Sequence, residues 1–354
     1  MKKFISVCTL LGAFAFPLLA QEEEESKLKI SGAVDAYYKY DFSGNANIGT
    51  SFANEQNSFS LGMLDLKFEK ASGKASFVGE ISFGPRNRSS VGPGPKVIVG
   101  EGEKAVEITD YIPNIQNLYV SYAFTDKFSV TGGYLQTFVG YELIGATGNF
   151  NYSTSYLFTN GPFQNAGIKF DYAFNDRFSV MAGVFNGWNL YTADPELGPT
   201  TLGAQVKVAP VEGWNIYLNT LTGKANGTIV DLTTSWQVTD KLLVGLNAAS
   251  YNSGADTAAT AFGGGAAYLN VAVADPLALG LRYEYFMSNA AYGLVGGVDG
   301  NINALTLSAN IGSGDLTLIP ELRLDMASES IFKDASGNAT KNAFQALVAA
   351  VYSF

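Results

Sequence analysis

Apolar and polar residues alternate with a period of two over most of the chain beyond residue 28. Near the end, one phase of 342–354 reads Phe344, Ala346, Val348, Ala350, Tyr352 and Phe354. In 163–174, Ile168, Phe170, Tyr172 and Phe174 share a phase, with Lys169 and Asp171 on the other. In 277–287, Leu277, Leu279, Leu281, Tyr283 and Tyr285 oppose Arg282 and Glu284. In 315–327, Leu316, Leu318, Leu322 and Leu324 oppose Glu321, Arg323 and Asp325. This period belongs to strands with one apolar and one polar face. All the charges in these strands fall on the polar phase. A Lys or Arg facing lipid near mid-membrane costs about 2–4 kcal/mol. The pattern therefore fits strands that turn their apolar face to lipid and their polar face to a lumen.

The same reading along the chain gives about sixteen strands: 28–40, 57–69, 75–84, 114–124, 127–138, 163–174, 177–187, 200–209, 213–221, 228–238, 241–251, 262–273, 277–287, 301–311, 315–327 and 342–354. Each comes near or above the roughly 9–11 residues that a tilted spanning strand needs. A hairpin unit recurs four times, at 121–130, 171–180, 235–244 and 270–279: a strand, a tight turn built on Asp126, Asp176, Asp240 or Asp275, and a second strand. Further short turns fall at 71–73, 209–213 and 312–314. Between them run longer segments rich in Gly, Asn, Ser and Pro, at about 41–55, 85–113, 139–162, 188–199, 252–260, 288–300 and 328–341, with a shorter one near 222–227. Alternating short and long connections predict an all-β transmembrane antiparallel barrel with short periplasmic turns and longer extracellular loops. An even strand number brings both ends to the periplasmic side. Phe124 with Phe128, Phe174 with Phe178, and Trp214 lie beside the short turns, where an aromatic girdle would sit.

A soluble β-sandwich would show the same alternation, so the rest of the chain has to decide. Lys2 and Lys3 precede an apolar stretch from Phe4 to Leu19, then Ala20, Gln21 and the acidic run Glu22–Glu25. That layout predicts a signal peptide over 1–20, cut after Ala20, a short acidic segment over 21–27 and a barrel over 28–354. Cys8 is the chain's one cysteine and lies inside the apolar stretch, so the exported chain would carry none. No other apolar run is long enough for a spanning helix. Aromatics make up 13% of the chain and glycines number 39. The mean hydropathy is +0.09. This composition suits many short strands. The formal charge is −10, becoming −12 once Lys2 and Lys3 are removed. A nucleic-acid partner would need a basic surface, so none is expected.

The chain contains no histidine. Ser-His and Cys-His catalysis and histidine metal sites are therefore excluded, and no catalytic residue, cofactor or metal is expected. The glycines of 92–95 and 100–102 lack the strand–loop–helix context of a phosphate loop. Asp194, Glu196 and Asp256 lack the spacing of a dedicated calcium site.

Two features resemble a known family. The terminal Val348–Phe354 is similar to the C-terminal strand by which bacterial outer-membrane proteins are recognised. The ordered set Asn151–Phe158, Gly161–Phe163, Gly167 and Val184–Trp188 resembles the OmpL-like β-barrel porins of Bacteroidota-type outer membranes. The resemblance spans about 28–354 and is most specific over 114–188. The family pattern favours a histidine just after the Pro-Phe pair, where this chain has Gln164 and Asn165. The resemblance implies an outer-membrane channel for small hydrophilic solutes, surrounded by outer-membrane lipids and inserted by the barrel-assembly machinery. Tyr352 and Phe354 would be the assembly signal, and a homo-trimer is compatible with the family style. Fold alone does not fix function. A structural or adhesive barrel with a blocked lumen and ligand-binding outer loops is the rival. A plug built from the few residues of 21–27 is not.

Within this frame, Lys169, Asp171, Arg282, Glu284, Glu321, Arg323 and Asp325 are candidate pore-lining residues, whose charges would tune selectivity or simply solvate the wall. The third long loop, 139–162, carries Tyr141, Phe150, Tyr152, Tyr156 and Phe158. These are candidates for a constriction inside the lumen. The alternative for the same aromatics is packing on the outer rim.

Overall fold

The structure is a computed structural model that describes residues 27–90, 96–99, 106–109, 114–193, 195–224, 226–254, 259–293 and 297–354. The expected signal peptide over 1–20, the glycines of 92–95 and 100–102, and Asp194 and Asp256 lie outside them. Sixteen strands form a closed barrel in which each strand pairs with its sequence neighbours. The first, Lys29–Asp41, closes the ring antiparallel on the last, Asn342–Ser353, with Asp35 opposite Val351 and Lys39 opposite Leu347. Closure leaves no unpaired strand edge, which the hydrocarbon core would not tolerate. Two short hairpins, Lys96–Val99 with Val106–Thr109 and Phe332–Lys333 with Ala339–Thr340, stand apart from the barrel sheet within long connections.

The recurring hairpin unit has a local cause. In three copies the residue before the turn Asp closes the turn with its own side chain. Thr125 Oγ1 accepts the N–H of Lys127 at 3.2 Å and of Phe128 at 3.0 Å. Thr239 Oγ1 does the same for Lys241 at 3.2 Å and Leu242 at 3.1 Å. Asn175 Oδ1 accepts from Arg177 at 2.9 Å. Each of the four copies also has a one-residue register shift just before the turn, at Ala123/Thr125, Ala173/Asn175, Gln237/Thr239 and Ala272/Ala274. Such a bulge bends the strand and re-aims a side chain. Phe124, Phe174 and Val273 sit at these bulges and are exposed on the outer surface.

The barrel's two faces follow the alternation. Large apolar side chains exposed on the outside include Ile168, Phe170, Leu279, Leu281, Leu318, Leu322, Phe344 and Val348. Aromatic pairs gather beside the short turns: Phe124 with Phe128 at 5.4 Å, Phe174 with Phe178 at 5.0 Å, and Trp214 with Trp236 at 5.1 Å. The start of the first strand and the end of the last meet at this short-turn end, where Gly32 and Phe354 exchange backbone hydrogen bonds at 3.0 Å. Leu281, in the middle of Leu277–Ser288, tests the outer face directly. Leu281→Arg is expected to lower folding stability in lipid vesicles by about 2–4 kcal/mol. Urea titration reads it, and an unshifted midpoint would mean that Leu281 does not meet hydrocarbon.

Candidate functional site: a loop folded into the lumen

The connection between Phe128–Gln136 and Gln164–Asn175 folds inward and packs against the inner face of the barrel. Its own residues dictate this. Tyr141, Ile144, Tyr152, Tyr156, Leu157 and Phe158 are buried, and burying that much aromatic and aliphatic surface outweighs leaving the loop in water. The far wall offers a matching surface. Ile229, Tyr268, Phe286 and Ile302 point inward and join Tyr141, Tyr156 and Leu157 in one buried apolar cluster. Tyr141 stacks on Tyr268 at 4.2 Å, and Tyr156 leans on Phe286 at 5.6 Å. Two glycines make the close approach possible. A Cβ on Gly280 would run into the Phe150 ring, and one on Gly245 into the Tyr141 hydroxyl.

Polar contacts then fix the loop's backbone to the wall. Glu284 accepts the N–H groups of Tyr156 and Leu157, both at 2.8 Å, as the short helix Tyr156–Asn160 begins. Glu321 accepts from the N–H of Tyr152 at 2.9 Å and from Ser308 Oγ at 2.9 Å. Arg282 donates to Ser153 O at 2.7 Å and to the Glu142 carboxylate at 2.6 Å. Arg323 donates twice to Asp325, at 2.8 and 3.0 Å, and once to Thr154 O at 2.8 Å. Tyr156 donates its hydroxyl to Asp325 at 2.7 Å. Asn310 holds Phe150 O at 2.9 Å. Two arginines thus read the loop's carbonyls while two glutamates read its N–H groups. Charge-assisted bonds of this kind are the strong class.

A second layer comes from the first long loop and the short helix Pro85–Ser90. Thr154 Oγ1 donates to Ser51 O at 2.9 Å, and the Ser51 N–H donates to Thr159 Oγ1 at 2.9 Å. Arg86, fully buried, lies over the rings of Tyr152 at 4.7 Å and Phe52 at 4.9 Å. It donates to Ile144 O at 3.1 Å and pairs with Asp35 at 3.5 Å. The Tyr152 hydroxyl donates to the same Asp35 carboxylate.

All seven candidate pore-lining charges are on the inner face, but they divide. Arg282, Glu284, Glu321, Arg323 and Asp325 are at most 3% exposed. They are covered by the loop and hold it, rather than facing channel water. Arg282 forms its ion pair with Glu142 of the loop, at 2.6 Å. Lys169 stays partly exposed on the open side, and Asp171, paired with it at 2.9 Å, is itself 2% exposed. Of the candidate constriction residues, Tyr141, Tyr152, Tyr156 and Phe158 are buried inside the barrel, and Phe150 is half-buried above Gly280. The outer-rim alternative does not hold for them. Glu142, Arg86 and Asp35 belong to the same assembly and escaped the sequence reading. A signal for the docking surface does exist in the sequence: Phe286 continues the polar phase of Arg282 and Glu284, and an apolar residue on an inward phase needs cover.

The loop leaves a cavity of about 830 Å³ along the opposite wall. Lys67, Glu80, Asn117, Tyr119, Thr131 and Lys169 line it from the strands, and Val139, Gly140, Glu142 and Leu143 from the loop. Among the described residues no three Asp, Glu, Cys or His side chains converge as metal ligands would.

The family model described as "Putative beta-barrel porin-2, OmpL-like" matches residues 27–354. No curated protein matches. Among solved structures, the chain is similar to the outer membrane channel DcaP of Acinetobacter baumannii, with 13% identity over 94% of this chain and 100% of that one and a TM-score of 0.59. It is similar to an anion-selective porin from Comamonas acidovorans, with 13% identity, the same coverages and a TM-score of 0.60. The trimer form of OmpT, an outer membrane protein of Vibrio cholerae, gives 12% identity over 92% and 99% of the two chains and a TM-score of 0.54. At these identities the structures share the fold. The family match covers nearly the whole chain, and this chain belongs to the OmpL-like β-barrel porins of the outer membrane.

Proposed function

We propose that this porin passes small hydrophilic solutes passively through a water-filled channel that the loop 139–162 narrows. The observation that carries the reading is the loop's position: it is bound along one inner wall by Arg282, Glu284, Glu321 and Arg323 and leaves beside it a cavity into which Lys67, Glu80, Asn117, Thr131 and Lys169 reach. A barrel of this strand number has room for an aqueous passage. Lys169, partly exposed and paired with the buried Asp171, is the member of the original seven that meets the solute. The other five set the width by holding the loop. No catalytic step belongs to this reading, since the chain has no histidine base and no cofactor is required.

Several finer assignments go with it. Residues 1–20 act as a cleaved signal peptide, 21–27 form a short acidic segment, and 28–354 form the barrel. The barrel-assembly machinery reads Tyr352 and Phe354, which are exposed at the periplasmic end of the last strand. Lipids surround the exposed apolar face, and the barrel assembles as a homo-trimer, a state that one structural neighbour adopts. Reconstitution in a planar bilayer tests the central claim. Discrete current steps from the purified, folded protein are expected. A folded barrel that stays silent would instead favour the blocked, structural or adhesive barrel.

A further inference from the structure

We propose that the cavity beside the loop is an anion-collecting vestibule, so that the channel passes small anions, carboxylates among them, in preference to cations of similar size. This rests on the porin reading. The chain as a whole is acidic, at −10, so a positive lining is not its default. Yet Lys27, Lys29, Lys67, Lys70, Lys74 and Lys169 all line this cavity, against the carboxylates Glu69, Glu80, Glu142 and Asp171.

Each of those carboxylates is already engaged. Glu69 is shared by Lys67 at 2.8 Å and Lys29 at 3.5 Å. Asp171 pairs with Lys169 at 2.9 Å, and Glu142 with the buried Arg282 at 2.6 Å. Glu80 accepts from the Asn117 amide at 2.5 Å. Asp65, two positions before Lys67, takes the Ser82 hydroxyl. Among the described residues no carboxylate lies within ion-pair distance of Lys27, Lys70 or Lys74. Lys74 donates only to the Phe124 carbonyl, at 3.2 Å.

The surplus charge is also concentrated. Lys74 follows the turn that joins Ser58–Ser72 to Ala75–Phe83, and Lys27 precedes the adjacent strand, whose Lys29 lies opposite Glu69. Lys70 is paired with the outward Phe77 and so belongs to the outer phase at the rim. Among the described residues, Lys27 and Lys74 on this side of the short-turn mouth therefore have no ion-pair partner. Like charges along a low-dielectric wall focus the field into the opening and raise the local concentration of counter-ions. Further in, Asn165 lines the same cavity at 1% exposure, and neither its amide nitrogen nor its amide oxygen has a partner. An unpartnered buried amide is costly to leave so. Its N–H groups offer an anion a polar contact once it has passed the rim.

The test is the zero-current potential in a planar bilayer under a KCl gradient. The intact chain is expected on the anion-selective side. Lys27→Gln and Lys74→Gln combined are expected to move the potential at least halfway to zero while the channel still conducts. Block of the KCl current by citrate should weaken in this variant and in Asn165→Leu. A cation-selective intact chain, or a double variant with unchanged potential, overturns the vestibule and leaves the porin reading standing. A folded barrel that carries no current fails the porin reading itself. Citrate titrated calorimetrically into that barrel in detergent then decides the vestibule: lysine-dependent binding supports it, and no binding overturns it.

Discussion

Deletion of residues 145–155 raises the single-channel conductance several-fold. The deleted stretch contains Phe150 above Gly280, Tyr152 against Asp35, and the Ser153 and Thr154 carbonyls held by Arg282 and Arg323. Without it, nothing ties the remaining loop to Glu321 or to Asn310. The barrel should survive, because all of its strand pairing lies outside the deletion. The exposed arginines and glutamates would be hydrated by lumen water instead of being stranded in a dry site. Heat-modifiable migration of the deletion variant checks that the barrel folds, and planar-bilayer recording reads the current step. An unchanged step from a folded variant would mean that another part of the lumen sets the width.

Much of this was legible in the sequence. Each of the sixteen strands coincides with one segment of period-two alternation, with ends differing by up to about three residues, because side-chain phase and turn chemistry are both local. The inner face was legible for the same reason: charges such as Arg282 and Asp325 had to avoid lipid. The loop's partners were not legible. Glu142 and Arg282 are separated by 140 residues and Asn151 and Ser308 by 157. No periodicity links such positions. The surprise was what the inward charges do. An inward phase says only that a residue leaves the lipid. Whether it then meets water or another part of the chain depends on where a distant loop goes. The aromatics of 139–162 suggested that the loop goes inside, and the inward Phe286 and Ile302 mark where it lands.

Arg323→Met carries the second large effect, on stability and channel together. Arg323 is fully buried, makes both bonds to Asp325, holds Thr154 O and lies 5.2 Å from the Tyr156 ring. Among the described residues, its removal leaves the Asp325 carboxylate with only the Tyr156 hydroxyl. Breaking a buried pair from one side costs about 3–5 kcal/mol, chiefly because the surviving charge is uncompensated. This site has an escape that a soluble core lacks. The loop can lift and let lumen water reach Asp325. The stability loss should therefore fall toward the low end of that range, and the released loop should make the open current larger and noisier. Adding Asp325→Leu separates the two effects. The double variant has no stranded charge, so most of the stability should return in a urea titration. It still lacks the donor to Thr154 O and the acceptor for Tyr156, so the noisy current should persist. If the double variant is as unstable as the single one, the cost lies in the lost loop contacts. If it is both stable and quiet, the apolar packing of Tyr156 and Leu157 on Phe286 is enough to hold the loop, and the arginine's role is confined to neutralising Asp325.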